Sequence, residues 1–291
     1  MFHRTLRSPN KRRNCNATAI KLAVVGLVTC FLPSCHAAPV YSSSGHLAIP
    51  AGHTCTAPTV IPLDLKNAQS GVTEGKYYVT NDSWNASRYT GLSQSIYVCD
   101  YNNWYAISTM NNDTSDGAVK TSPNVQQTWY PTPTKLTSWK SITSHYSDVP
   151  PGVGPSYGTW EFEYDIWLNG FADKNSTEIM IWTFDNGQAP NGALSGSFTD
   201  AGHTYDVYHS GPPNQYVAFV DQNGKLTGDV NLTNFFRYVI SKGWTSSSSA
   251  LYQICNGVEL VSTNGKPERF GINNFSISTE PYSEGEPRAQ R

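Results

Sequence analysis

Short runs of alternating apolar and polar residues dominate most of the chain. In the clearest run, residues 160–167, the acids Glu161, Glu163 and Asp165 share one face of a predicted strand with Trp167. The opposite face carries only aromatic and aliphatic side chains, which is typical of a side that packs into a core. Three acids and a tryptophan on one face indicate a groove that binds a polar, flat ligand.

A second run, residues 177–182, places Glu178, Met180 and Trp182 on one face and two isoleucines on the other. The Asn-Gly pair at 223–224 is typical of a hairpin turn. Further strands are predicted at residues 77–80, 96–99, 205–208, 216–220, 251–255 and 270–278. Many short strands joined by turns indicate a β-sandwich.

One segment breaks the alternation and repeats its apolar residues at helical spacing. These residues are Leu232, Phe235, Phe236, Val239 and Ile240. We expect Asn231 to cap the start of this helix, and Gly243 stands where the helix would end. A single helix among many strands predicts an all-β fold: an antiparallel two-sheet β-sandwich (jelly roll) with one helix packed on its convex side.

The composition divides the chain into four parts. We expect a signal peptide at residues 1–38, a polar leader at 39–54, one domain at 55–279 and a polar tail at 280–291. No internal repeat or long proline-rich linker divides the central part.

The predicted signal peptide has a basic stretch followed by an apolar stretch at residues 22–32, which is short for a membrane span. Small residues at Ala37 and Ala38 favour cleavage near that point. The alternative is a lipoprotein anchor at Cys35, because the preceding Leu-Pro-Ser loosely resembles a lipoprotein cleavage box. Either way, we expect an exported protein, and we favour a secreted one.

Removal of this segment changes the charge of the protein. It holds six of the 20 Lys and Arg and none of the 22 Asp and Glu, so 14 basic and 22 acidic residues remain, a formal charge of −8. Acidic proteins bind nucleic acid and anionic membranes poorly, whereas a neutral polymer is compatible with this charge. We therefore expect no nucleic-acid partner.

Three of the six cysteines, Cys55, Cys99 and Cys255, lie outside the targeting segment. Export permits disulfides, and we expect Cys55 to pair with Cys99 and to leave Cys255 free, although the sequence leaves other pairings open. The seven histidines are scattered, and no Cys/His group has zinc-site spacing, so we expect no metal.

Two glutamates are candidates for chemistry. Glu178 is flanked on its strand by Ile, Met and Trp, and partial desolvation of this kind raises a carboxyl pKa. Glu259 follows Gly257, which is typical of a β-bulge that redirects a side chain. The alternative interpretations are an edge-strand glutamate facing water and an ordinary glutamate at a strand end.

Together, the two carboxylates and an aromatic content of 12% suggest glycoside hydrolysis. That reaction needs one carboxyl group that protonates the leaving oxygen and a second that attacks the anomeric carbon or activates water. Aromatic rings offer sugars a flat surface for stacking. The acids at positions 161, 163 and 165 would accept hydrogen bonds from sugar hydroxyls.

At these residues the chain resembles family 12 of the glycoside hydrolases, the β-jelly-roll endoglucanases and xyloglucanases. The resemblance covers most of residues 77–279, and TEIMIW at 177–182 looks like the family's nucleophile strand. Similar matches are VTNDSWNAS at 79–87, VKTSPN at 119–124, FEYDIW at 162–167 and GDVNLTNFFRYV at 228–239. Five matches in the family's order make this a fairly specific resemblance.

The resemblance implies a role for each matching residue. Glu178 would be the nucleophile, Glu259 the general acid and then the general base, and Asp165 a hydrogen-bond partner that holds the pKa of Glu178. Substrate-binding candidates are Asn81, Trp84, Trp104, Met180, Trp182 and Pro190. For Trp104, a position in the core is the alternative interpretation.

The implied activity is that of a retaining endo-β-1,4-glucanase acting on cellulose, mixed-linkage glucan or xyloglucan, as a monomer without cofactor or metal. The chain departs from the family around its acid/base, where Gly-Val-Glu-Leu-Val at 257–261 replaces the usual Gly-Thr-Glu-Pro-Phe and Cys255 replaces a frequent Gln. Two alternatives therefore stay open: a non-catalytic carbohydrate-binding β-sandwich, and a secreted protein that reuses the scaffold to bind another protein.

Overall fold

The computed structural model describes residues 54–212 and 215–283. The predicted signal peptide at 1–38, the alternative anchor at Cys35, the leader up to residue 53 and the tail beyond residue 283 lie outside these described residues. No helix within them is long and apolar enough to cross a membrane.

The described chain forms sixteen strands and one α-helix, α1, at Leu232–Ser241. In chain order the strands are β1 (Thr59–Pro62), β2 (Gly71–Glu74), β3 (Tyr77–Thr80), β4 (Ser93–Asp100), β5 (Asn103–Thr109), β6 (Asn124–Thr128), β7 (Thr134–Lys135), β8 (Trp139–Val149), β9 (Thr159–Leu168), β10 (Thr177–Asn186), β11 (Ala193–Asp200), β12 (His203–Ser210), β13 (Gln215–Asp221), β14 (Thr227–Asn231), β15 (Ala250–Ser262) and β16 (Glu268–Pro281). Short 3-10 helices lie at Ala86–Arg88, Leu136–Ser138 and Pro155–Tyr157.

The strands form two sheets. The six-stranded sheet has the order β1-β4-β5-β16-β8-β14, and the ten-stranded sheet has the order β11-β12-β13-β10-β9-β15-β6-β3-β2, with β7 also pairing with β15. The predicted two-sheet β-sandwich with one helix is therefore confirmed. The structure differs in one respect, because β10 and β13 pair in parallel within an otherwise antiparallel arrangement.

The hydrophobic core lies between the two sheets. Phe162, Tyr164 and Ile166 of β9 are fully buried in it, as the alternation predicts. Phe162 meets Phe270 of β16 with a ring-centroid distance of 6.4 Å, and Tyr164 meets Phe275 at 6.3 Å. Aromatic pairs of this kind contribute about 0.5–1.5 kcal/mol each beyond the area they bury. One face of β9 is thereby committed to the core, which leaves its other face for the acids.

The helix packs on the core-facing side of the ten-stranded sheet, beside the edge of the smaller sheet. Phe235 of α1 contacts Phe198 of β11 and Phe219 of β13, both with ring centroids 4.9 Å apart. The backbone N–H of Ile142, in β8, donates to Thr233 Oγ1 at 2.7 Å. The single helix therefore closes the core where the six-stranded sheet ends.

The ends of the helix answer two of the predictions. Gly243 has φ +70° and ends the helix as predicted, since its N–H bonds the Ile240 carbonyl at 2.9 Å while Trp244 N–H bonds the Val239 carbonyl at 3.1 Å. The expected cap at the other end is wrong: Asn231 precedes the helix, but its side chain makes no capping hydrogen bond. The strand β14 runs directly into the helix at this residue.

The connection from β10 to β11 crosses the sheet. Ala193 lies level with Ile179 near the start of β10, because Ala193 pairs with His209, His209 with Val217, and Val217 with Ile179. Residues 187–192 must therefore return along most of β10 while passing β13 and β12. Six residues reach only about 20 Å when fully extended, so this crossing segment has little length to spare, although the chain bends at Gly187, Asn191 and Gly192.

The predicted cysteine pairing is confirmed. Cys55 and Cys99 form a disulfide over a sequence separation of 44 residues, and Cys255 is free and buried. The bridge ties the chain ahead of β1 to the end of β4, which is the strand that β1 pairs with. It therefore fixes an edge of the six-stranded sheet.

Replacing both Cys55 and Cys99 by serine should lower the free energy of unfolding by about 4 kcal/mol, because the unfolded chain regains the freedom of the 44-residue loop. Guanidinium denaturation measures this change. A reductant should bring the wild type to the midpoint of the double variant and leave the variant unaffected. A double variant as stable as the oxidised wild type would contradict this account.

Candidate active site

Strand pairing brings the face of β9 that carries the acids against the candidate nucleophile strand. In the antiparallel register of β9 and β10, Glu178 lies opposite Trp167 and Met180 lies opposite Asp165. All four side chains point away from the core, so Asp165 lies diagonally beside Glu178 on the same face.

On its other side β9 pairs with β15, which carries the second candidate. Glu259 lies directly opposite Glu161 in this register. The two candidate catalytic strands thus flank β9, and both glutamates lie on its outer face.

A cleft of about 450 Å³ opens on this face of the ten-stranded sheet. It brings together six of the predicted site residues: Trp84, Glu178, Met180, Trp182, Pro190 and Glu259. Met180 and Trp182 pack with Ala218 of β13 into a small apolar cluster below the opening. Trp84 is 53% exposed, which leaves its ring available to a ligand.

The electrostatic environment of Glu178 is set by burial and by like charges. Desolvation raises the pKa of Glu178 well above its usual value, and the charges of Asp165 and Glu259 raise it further. Tyr216 of β13 stands opposite Glu178 on the other side of β10 and also lines the cleft. Glu178 is thus not the water-facing glutamate of an edge strand.

The strand that carries Glu259 is held on both sides. On the side of β15 away from β9, the N–H of Lys120 donates to the Leu260 carbonyl at 2.8 Å, and the N–H of Leu260 donates to the Thr121 carbonyl at 2.9 Å. A Cβ on Gly257 would lie 2.4 Å from the Pro123 carbonyl oxygen, so only glycine permits this close approach. The predicted bulge at Gly257 is wrong, since the register shifts lie between Leu251 and Gln253 and between Leu260 and Ser262.

Asp165 lies where expected but makes a different contact. Its Oδ2 accepts a hydrogen bond from Trp167 Nε1 at 2.7 Å, while Oδ1 is buried without a hydrogen-bond partner. The predicted hydrogen bond to Glu178 is therefore absent. Burial raises the pKa of Asp165 to about 8 despite the bond from Trp167, which lowers it.

Two substrate-binding candidates lie elsewhere. Trp104, in β5 of the six-stranded sheet, is 2% exposed and belongs to the core, so its alternative interpretation holds. Asn81 is fully buried: its side-chain amide donates to the Ile61 carbonyl at 3.2 Å, and its Oδ1 accepts from Gln94 at 2.8 Å. Neither side chain lines the cleft, because Trp104 packs in the core and Asn81 is held by buried hydrogen bonds.

A second depression, of about 370 Å³, lies on the six-stranded sheet beside Tyr105. Its lining contains no acid, and the guanidinium of Arg269 stands 3.7 Å from the centroid of the Tyr105 ring. The other cleft is the candidate site because the carboxyl pair lies there.

Glu161 and Glu163 are buried, contrary to the expectation that they accept hydrogen bonds from sugar hydroxyls. Both are fully inaccessible, and none of their four carboxylate oxygens has a hydrogen-bond donor. Burial raises the pKa of each well above its usual value, and neighbouring carboxylates add to this effect. Among residues 54–212 and 215–283, no group of three or more His, Cys, Asp or Glu side chains is arranged to hold a metal.

Sequence reasoning missed part of the cleft lining. The additional residues are Asn85, Gly117, Ala118, Val119, Gln188, Ala189, Asn191 and Tyr216. Most lie in loops, where no periodicity marks a buried or exposed face. Tyr216 lies in a predicted strand, but only its parallel pairing with β10 reveals that it stands beside Glu178.

Two carboxyl groups over an aromatic-floored cleft on a β-sandwich are the arrangement of a glycoside hydrolase. The model of the glycosyl hydrolase family 12 matches residues 75–280. This match covers most of the chain, and the chain belongs to glycosyl hydrolase family 12. A search of the curated proteins found no significant match.

Solved structures share the fold. The native family 12 xyloglucanase from Bacillus licheniformis is 21% identical with a TM-score of 0.64, over 76% of this chain and 100% of that one. Endoglucanase Cel12A from Rhodothermus marinus is 19% identical with a TM-score of 0.64, over 77% and 100%. The xyloglucanase domain of NopAA, a type three effector from Sinorhizobium fredii in complex with cellobiose, is 20% identical with a TM-score of 0.61, over 77% and 100%.

The exposed Trp84 and the buried Trp104 should respond differently to substitution. Trp84→Ala should change the free energy of unfolding by less than about 0.5 kcal/mol, since its side chain is exposed. Trp104→Ala should cost about 3–5 kcal/mol by leaving a cavity in the core. Urea denaturation of both variants tests this contrast, and equal losses would contradict the assignment of Trp104 to the core.

The buried acids should make the protein less stable as pH rises. The raised pKa values, to about 6 for Asp82 and Asp185 and about 8 for Asp165, mean that the folded chain holds these protons more tightly than the unfolded chain. The free energy of unfolding should therefore fall from about pH 4 to about pH 8. Glu163→Gln, which removes one such group, should flatten the fall, whereas stability rising over this range would refute the account.

Proposed function

We propose that this chain is a secreted, retaining endo-β-1,4-glucanase that hydrolyses internal bonds of a β-glucan. The observation that carries the proposal is the pairing of Glu178 and Glu259 on the two strands that flank β9, with both carboxyl groups lining one cleft. Family membership supports glycoside hydrolysis as the chemistry.

Glu178 acts as the nucleophile in this proposal. Its carboxylate attacks the anomeric carbon and forms a glycosyl-enzyme ester, while the proton of Glu259 passes to the departing glycosidic oxygen. Water then attacks the same carbon, Glu259 takes its proton, and the ester bond to Glu178 breaks. Two displacements at one carbon return the β configuration.

The crowding of acids favours a mixed protonation state in the site. The charges of Asp165 and Glu259 raise the pKa of Glu178, and the charge of Glu259 raises the pKa of Asp165, so ionising all three near neutral pH is unfavourable. A retaining mechanism needs this mixed state, with one carboxylate to attack and one carboxylic acid to donate. The apolar cluster of Met180, Trp182 and Ala218 packs below the opening of the same cleft.

The shape of the site supports a polymeric substrate. The exposed ring of Trp84 and the crossing segment at residues 187–192 both line the cleft together with the two carboxyl groups, which offers a sugar chain several contacts at once. Stacking on an indole ring suits the flat faces of β-linked glucose. The fold neighbours named above include xyloglucanases and an endoglucanase, so xyloglucan, mixed-linkage glucan and cellulose are the substrates to compare.

The exported protein should release reducing ends from at least one of mixed-linkage glucan, xyloglucan and carboxymethylcellulose, and not from xylan. Glu178→Gln should nearly abolish this release. Glu259→Gln should lower kcat by about 10²–10⁴-fold on polymers and least on aryl glycosides, whose leaving groups need little protonation. Proton NMR of the first product should show the β-anomer.

The matched control is Glu280→Gln, the same chemical change at a half-exposed glutamate that pairs with Lys140. It should retain wild-type activity. Full activity of Glu178→Gln, or an α-anomer as first product, would overturn the proposed mechanism. Binding of a glucan by a folded protein that releases no sugar would favour the non-catalytic binding module, with the sequence around Glu259 as the cause.

A further inference from the structure

The carboxyl of Glu161 is buried directly against the proposed acid/base. Glu161 and Glu259 are opposite each other in the β9–β15 register, so their side chains lie side by side on one face. Glu161 is fully inaccessible to solvent, whereas Glu259 lines the cleft. Glu161 therefore reaches the reaction only through Glu259.

The surroundings of Glu161 supply no hydrogen-bond donor. Both of its carboxylate oxygens are buried without one. A buried ionised carboxylate in this state is costly, whereas a protonated carboxyl can satisfy itself by donating to an acceptor beside it. The acceptor in contact is Glu259, and a hydrogen bond between two carboxyl groups exists only when one of them carries a proton.

The other charges around the pair are all negative. Glu161 is faced by Asp185 of β10 and Glu163 of β9, and Glu259 is near Asp82, Glu163, Asp165 and Glu178. Lys120, on the other side of β15, is engaged elsewhere: it donates to the Val261 carbonyl at 2.7 Å and stands over the Tyr89 ring. No ion pair among the described residues neutralises either carboxyl of the pair.

We propose that Glu161 and Glu259 form a carboxyl dyad that shares one proton, and that Glu161 is a positioning residue for the acid/base. This proposal rests on the proposed function, because it assigns Glu161 a part in that same site. Burial and the contact with Glu259 raise the pKa of Glu161. Burial also raises the pKa of Glu259, although the hydrogen bond from Glu161 lowers it in part. One proton held between the two carboxyls is therefore favoured over two ionised groups.

The dyad extends the pH range in which the acid is available. Two adjacent carboxylates repel, so the last proton leaves the pair at a higher pH than it would leave a lone glutamate. In the first step the shared proton passes through Glu259 to the departing glycosidic oxygen. In the second step Glu259 takes a proton from the attacking water, which restores the proton of the pair. The proton count is therefore the same before and after each turnover.

The test is the alkaline limb of kcat/KM in the full-length exported protein. Glu161→Gln keeps the size of the side chain and the donor to Glu259 but removes the second titrating group. The alkaline limb should move to lower pH by about 1 unit, with KM at the optimum unchanged. Glu163→Gln is the matched control, since Glu163 is equally buried on the same strand but is not opposite Glu259.

An unshifted limb in Glu161→Gln, or equal shifts in both variants, would overturn the dyad. The first outcome would mean that Glu161 does not titrate with Glu259. The second would mean that all the acids of the cluster affect Glu259 to a similar extent. Loss of hydrolysis from every glucan in the wild type would instead refute the proposed function, and the dyad would then be decided by the next measurement.

Carbon-13 NMR of side-chain carboxyls tests the dyad in the wild type without an activity assay. In the wild type, the Glu161 and Glu259 resonances should each titrate in the same two steps, because the protons belong to the pair. In Glu161→Gln the Glu259 resonance should show one step. Independent single steps for the two residues in the wild type would refute the proton sharing.

Discussion

The pairing of β9 with β10 on one side and β15 on the other is the interaction on which the site depends. One face of β9 is anchored in the core by aromatic contacts with β16. Period-two alternation then forces every acid of β9 outward, and the antiparallel registers bring Glu178 and Glu259 to the same face from the two flanking strands. A slip of one residue in either register would bury one carboxyl in the core.

The same arrangement brings several carboxyl groups together, and their mutual repulsion is unfavourable when they ionise. Glu161, Glu163 and Asp165 lie along one face of β9, and the neighbouring strands add Glu178 and Glu259. Within the described residues, the one hydrogen bond donated to the carboxyl groups of these three acids of β9 is that from Trp167 to Asp165. Such a cluster stores protons, because ionising all of its members in a poorly hydrated groove is unfavourable. Stability and the proposed hydrolysis therefore depend on the same protonation equilibria. A substitution on β9 acts on both.

Much of the fold could be predicted because it follows from local rules. The alternation at residues 160–167 and 177–182, the helical spacing from Leu232 and the stop at Gly243 need no knowledge of distant contacts. Pairing lies beyond such rules. The parallel neighbour of β10 depends on where the chain returns after two further strands, and the burial of Trp104 and Asn81 depends on which sheet face or loop covers them. The alternation placed Glu161 on the correct face, but an outward face covered by neighbouring segments looks the same in sequence as one open to solvent.

The crossing segment at residues 187–192 has little length to spare. It links two parallel strands across two others, and Gly187 and Gly192 both turn the backbone with positive φ, at +85° and +89°. A Cβ on Gly192 would stand 2.5 Å from the backbone of His209. Deleting one residue would draw β11 along β12 by one position, and a shift of one reverses which side chains of β11 face the helix. We therefore expect this part of the cleft lining to tolerate exchanges of side chain at constant length, whereas ordinary surface loops also tolerate insertion and deletion.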